Sequence, residues 1–155
     1  MKPTEHSPGQ DGASPLSPVA EWAGYLCVAP FILCLAGVGL LPDYGQRDLA
    51  QRIALGWGAA LLAFTGAVHW GLALGERLPW EPGRGVALLP AALGAVAVVL
   101  GGERGLALLV VGFGLFWLYE HRVLGQSLPK AYLDLRRQLT LATCILLALT
   151  MFASD

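Results

Sequence analysis

The chain is predicted to be all-α, a polytopic integral membrane bundle of five transmembrane helices, and three observations carry that expectation. Of its 155 residues 55% are apolar and only 14% are charged. An ordinary soluble domain carries about 25% charged residues, so there is too little polar surface here to cover a globule. The charges also punctuate the chain, leaving five uncharged runs between them. None of these runs alternates with period two, as Ala95-Val96-Ala97-Val98-Val99-Leu100 illustrates. That removes the β-barrel, the other structure able to satisfy its backbone inside lipid.

The runs lie between Glu21 and Asp43, Arg52 and Glu76, Arg84 and Glu103, Arg104 and Glu120, and Arg137 and Asp155. A hydrocarbon core about 30 Å thick takes roughly 20 residues of helix, within a range near 17–25. The expected spans are about 22–42, 53–75, 85–102, 105–119 and 137–154. The fourth is the short one, able to borrow Gly101 and Gly102. Between the third and fourth, Gly101-Gly102-Glu103-Arg104-Gly105 reads as the tight turn of a helical hairpin, since glycine frees the backbone. Pro30, in the middle of the first span, lacks an N–H and should kink it. Pro90 lies near the start of the third.

Residues 1–20 hold Pro3, Pro8, Pro15 and Pro18 among Ser and Gly. Such a stretch cannot bury enough surface to fold and is expected to be a disordered tail before a membrane domain at 21–155. It has neither the apolar segment of a signal peptide nor the arginines of a mitochondrial presequence. Further on, Ser127-Leu128-Pro129 reads as a helix start, from which one helix can run into the fifth span. Tyr132, Leu135 and Leu139 then form an apolar stripe that suits the membrane surface or a neighbouring loop; a solvated juxtamembrane turn is the plainer reading.

Orientation follows from Lys and Arg counted by side. Lys2, Arg77, Arg84, Arg122, Lys130, Arg136 and Arg137 fall on one side, and Arg47, Arg52 and Arg104 on the other. The N-terminus is therefore expected in the cytoplasm and the C-terminus across the membrane, with Tyr132, Arg136 and Arg137 in a cytoplasmic loop. Trp22, Trp80, Trp117 and Tyr119 sit at the same boundary, where amphipathic rings favour the headgroup layer. Trp57 lies toward the opposite face.

A net charge of −1 argues against a nucleic-acid partner, which needs a basic face. Cys27, Cys34 and Cys144 form neither a CxxC pair nor a disulfide framework and are expected to behave as small buried hydrophobes. No nucleotide-binding, zinc-protease or serine-hydrolase pattern is present, and no carboxylates pair within a span. No catalytic residue and no metal site is expected, and the chain is read as non-enzymatic.

The second run is the most informative. Ala59, Ala63, Ala67, Gly71 and Gly75 recur at every fourth position, which lets a neighbouring helix approach closely. On the other side Thr65, His69 and Glu76 form a polar edge that needs partners, because lipid offers none. This helix is expected to be central. His69 is the only histidine inside a span, about 10 Å along the helix from Glu76. Glu120 and His121 end the fourth span on the same side, three and four residues after Trp117. An imidazole there could relay protons or hold a ligand; bonded to a backbone carbonyl or to Thr65, it would serve only to join helices. Trp70 adjoins it.

Three segments together resemble a known family. Gly66-Ala67-Val68-His69-Trp70-Gly71-Leu72-Ala73 is similar to the G-x-x-H-W-G-x-A signature of the transmembrane-protein-69-like group, domain of unknown function 3429. Leu88-Leu89-Pro90 and Leu128-Pro129-Lys130-Ala131-Tyr132-Leu133-Asp134-Leu135-Arg136 fit as well, and the resemblance covers about residues 20–153. It implies a membrane protein of about five spans, in the bacterial inner membrane or, alternatively, a mitochondrial membrane. It implies no activity.

Three roles are compatible with this reading. The chain could be an accessory or assembly subunit of a larger membrane complex, its partners being the lipid bilayer and other subunits or further copies of itself. It could be a bundle that uses His69 to bind haem, a quinone or a lipid headgroup. It could also be a small proton-coupled transporter, although inverted repeats and paired broken helices are missing.

Overall fold

A computed structural model describes residues 18–74, 84–124 and 130–154. They form α1 (Pro18–Leu40), α2 (Tyr44–Leu74), α3 (Arg84–Leu100), α4 (Gly102–Tyr119) and α5 (Lys130–Ala153), with a π-helical turn, Glu120–Leu124, continuing α4. Among the described residues there is no strand. Four stretches are long and apolar enough to cross a membrane: Trp22–Leu40, Tyr44–Gly71, Gly102–Arg122 and Ala131–Ala153.

The short element is the third helix, not the fourth. The apolar part of α3 is only Val86–Leu100, whereas α4 takes Glu103 and Arg104 into its own length and Glu120 follows it directly in the π turn. Glu103 in the first turn suits the positive end of the helix dipole, so charge there does not stop a helix. What separates the two helices is Gly101 and Gly102, with φ of 64° and 50°, a left-handed backbone that side chains disfavour. The hairpin turns on these two residues.

Helix ends also extend beyond the uncharged runs elsewhere. α2 starts at Tyr44 because Asp43 caps it, its Oδ2 accepting the Gln46 N–H at 3.2 Å. One turn on, Asp48 and Arg52 pair at 2.8 Å across the helix surface. Both arrangements favour helix. α1 begins at Pro18, within the stretch read as tail, and proline suits a first helical turn. α5 runs unbroken from Lys130, and its Leu139 presses on Gly24 of α1.

Neighbours follow chain order around the bundle, α1 to α2, α2 to α3, α3 to α4, α4 to α5 and α5 back to α1, while α2 also packs on α4. The centre expected for α2 is thus shared with α4. Phe31, Leu62, Leu106, Leu109 and Leu147 fill it with no exposed surface, and Leu26, Leu33, Phe64, Val99 and Ile145 face outward. Against lipid an apolar side chain gains little by turning inward, so close packing has to hold the helices. At Gly66 a Cβ would collide with the Ala87 carbonyl of α3, and Pro90 lies against the same point. The line of closest approach to α3 runs through Ala59, which lies against Gly94, and Gly66. Within the fourfold stripe, Ala59 is buried, Ala63 is half-buried, and Ala67 and Gly71 are exposed. Gly75 lies outside the described residues. Trp57, toward the middle of α2, donates its indole N–H to the Cys27 carbonyl of α1 at 2.9 Å.

Candidate functional site

His69 is fixed by its own helix. The Thr65 carbonyl, one turn earlier, lies 2.9 Å from Nδ1, and since a carbonyl only accepts, Nδ1 carries the hydrogen. The Thr65 hydroxyl is engaged elsewhere, donating to the Leu62 carbonyl at 2.7 Å. Phe116 of α4 meets the imidazole edge-on, with centroids 5.1 Å apart and planes at 84°. These contacts aim Nε2 at α4.

There it meets Glu120, which is 1% exposed. The Glu120 N–H donates to the Phe116 and Trp117 carbonyls, which keeps it helical as the π turn begins. Such turns are frequent at functional sites. Arg136, in the second turn of α5, donates from Nε to Glu120 Oε2 at 3.0 Å. His69, Glu120 and Arg136 therefore join α2, α4 and α5 in one buried polar centre, in which the arginine side chain is 17% exposed.

The contact between the first two is incomplete. Nε2 lies 3.3 Å from Glu120 Oε1, within ion-pair reach but off the line of a hydrogen bond, and neither atom has another protein partner. With Nδ1–H committed to Thr65, a neutral ring turns a bare lone pair toward a carboxylate. Each buried polar atom left so costs about 1–3 kcal/mol. A hydrogen held between them, on Nε2 or on Oε1, would answer both atoms.

The other positions named from the sequence fall around this centre. Trp70 is 39% exposed on the outer side of α2. His121 is exposed and stacks on Trp117, 5.6 Å away at 18°, so Glu120 rather than a second histidine faces His69. Tyr132 is half-buried in the first turn of α5, and exposed Arg137 pairs with Asp134 at 3.5 Å. Tyr132, Arg136 and Arg137 all lie on α5, as the helix read from Ser127-Leu128-Pro129 anticipates, but Arg136 is turned into the bundle rather than out from it. Glu76 lies outside the described residues. Among the described residues no three His, Cys, Asp or Glu side chains gather as a metal site would require. A cavity of about 100 Å³ adjoins the centre, with Thr65 and Arg136 in its wall. Pockets for drug-sized ligands and cofactors run to about 300–1,000 Å³.

A family model with the description Protein of unknown function (DUF3429) matches residues 16–152. The match takes in His69, Glu120 and Arg136. No curated protein and no solved structure matches the chain significantly.

Proposed function

The chain belongs to this uncharacterised family, DUF3429, and we propose that it is a non-enzymatic, five-span protein of the bacterial inner membrane that binds an anionic ligand at the His69–Glu120–Arg136 centre. One observation carries the reading: His69 Nε2 and Glu120 Oε1 are buried side by side with no other protein partner. Ionisable groups at membrane depth are costly and mark functional positions by default. As a stabilising device the arrangement is poor, because desolvation offsets much of what a buried ion pair contributes. With His69 protonated on both nitrogens, the centre holds two cations and one carboxylate. That single excess positive charge, in an apolar bundle, is what an anion would neutralise.

Placement supports the same reading. The centre lies where α2 and α4 end and α5 begins, the end that collects the excess of lysine and arginine. By the positive-inside rule this is the cytoplasmic side, with the N-terminus there and the C-terminus in the periplasm. The size of the adjoining cavity, about 100 Å³, favours a small polar group over a haem or a quinone ring.

A second role, as an accessory or assembly subunit or a homo-oligomer, is favoured by α3. This helix has 17 residues and exposes Leu88, Leu89, Val96, Val98, Val99 and Leu100. A span shorter than the bilayer is accommodated by thinning the membrane or by oligomerising.

Gentle purification of the tagged protein from native membranes, with mass spectrometry of everything bound, tests both roles. A stoichiometric small anion that disappears from a folded His69→Ala variant supports the ligand site. Larger subunits recovered equally with the wild type and His69→Ala would contradict it and leave the second role.

A further inference from the structure

Four helices enclose the cavity beside the centre, and its polar lining is Arg136, Thr140 and Thr143 of α5 and Thr65 of α2. Thr65 is already bonded within its helix, but Thr140 is 6% exposed and its Oγ1 is buried with no partner. Arg136 uses Nε for Glu120. A guanidinium has five N–H donors, so its two terminal nitrogens remain as a fork for a second acceptor. Phe64 of α2 also lines the cavity and is 65% exposed. The cavity therefore opens on the outer face of α2, where lipid chains lie.

We infer that this cavity binds the carboxylate end of a long-chain fatty acid. The carboxylate sits on the terminal nitrogens of Arg136 with the Thr140 hydroxyl as a further donor, and the chain leaves past Phe64 into the bilayer. The inference rests on the reading of the centre as cationic, because a bound carboxylate brings it to neutrality. A planar carboxylate matches the guanidinium fork with two parallel bonds. A cavity of about 100 Å³ is well above the roughly 10–15 Å³ that admits one water, which leaves room for that head. A phosphodiester, substituted on two sides, needs more space. The apolar mouth calls for a chain, which a free small anion lacks.

The test places a tryptophan reporter at the mouth, Phe64→Trp, in the full chain reconstituted in phosphatidylcholine nanodiscs, read against the chain without the reporter. Bromine-labelled stearic acid, its methyl ester and a bromine-labelled phosphatidylglycerol are titrated as quenchers. The acid is expected to quench saturably, and the neutral ester at least about tenfold more weakly, the loss of a charge-assisted contact. Arg136→Gln should weaken the acid to a similar degree, whereas Arg122→Gln, on an exposed residue, should leave it unchanged. Equal quenching by acid and ester overturns the site. Quenching by phosphatidylglycerol as strong as by the acid overturns the carboxylate assignment in favour of a phosphodiester head. Should Arg136→Gln fail to fold, the acid-against-ester comparison on otherwise native protein still decides, with Thr140→Val as the second variant. Failure of the acid to bind while both His69 nitrogens carry protons overturns this inference alone; a bare Nε2 overturns the cationic centre on which it rests.

Discussion

Arg136 and Glu120 are joined by a 3.0 Å hydrogen bond across sixteen residues of chain, and this bond fastens the start of α5 to the end of α4. Without Glu120, Arg136 and His69 would face each other with no anion between them. Glu120→Ala is expected to destabilise the protein by roughly 3–5 kcal/mol, the usual consequence of stranding a buried charge. In the double variant with Arg136→Ala the losses should fall short of their sum by about 1 kcal/mol or more. Unfolding of all three variants in mild detergent measures this, and simple additivity would show that the pair is not coupled.

His69→Ala should behave differently. Alanine is the best helix former, and α2 is held by its approach to α3 at Ala59 and Gly66 and by Leu62 in the core rather than by the imidazole. The variant is expected to accumulate in the membrane with native helical circular dichroism and to lose the anion binding proposed for the centre. Failure to accumulate would identify His69 as a structural bond between helices.

Two glycines of α2 provide a paired comparison. A Cβ at Gly66 would run into the Ala87 backbone, which cannot swing aside as a side chain can, whereas at Gly71 it would meet nothing within 4 Å. Gly66→Ala is expected to cost about 1–3 kcal/mol through overpacking, and Gly71→Ala to stay within about 0.5 kcal/mol of the wild type. Thermal unfolding of the two variants side by side would show it. Equal effects would mean that α3 does not approach α2 at Gly66.

Trp57→Phe removes the indole donor to the Cys27 carbonyl while keeping most of the ring. Hydrogen bonds between membrane helices average about 0.6 kcal/mol and reach about 1.7, so a loss in that range is expected in the same assay. A larger loss would point to the ring's packing rather than its N–H.

The segments that carry the family resemblance meet in space, which explains why spacing along the chain could not pair them. Gly66 and Pro90 touch where α2 crosses α3, and His69 and Arg136 converge on Glu120. The helical class and the approximate spans were legible because charge is so scarce. Their ends were not, because counting charges treats each one as an edge of the membrane. Asp43, Asp48, Arg52 and Glu103 instead belong to helix caps, surface pairs and first turns.

The same assumption concealed the centre. In the sequence His69 stands out as the only histidine within a span, while Glu120 and Arg136 stand apart from it, at a span boundary and in a loop segment. A carboxylate at the end of one apolar helix and an arginine near the start of the next are compatible with solvent or with each other. Only the π turn after Tyr119 and the inward-turned side of α5 that carries Arg136 bring them together. The small-residue stripe shows a related limit. Spacing selects a line along the helix, but Gly71 on that line is exposed while the helices meet at Gly66.

The proposed cationic character of the centre turns on the hydrogens of the His69 ring. Nitrogen NMR of histidine-labelled protein in nanodiscs, with the His69 signal assigned by its loss in His69→Ala, tests this most directly. The expected result is an imidazolium signal from both nitrogens that is lost in Glu120→Gln. One protonated nitrogen bonded to the Thr65 carbonyl beside a bare Nε2, unchanged by Glu120→Gln, would contradict the account.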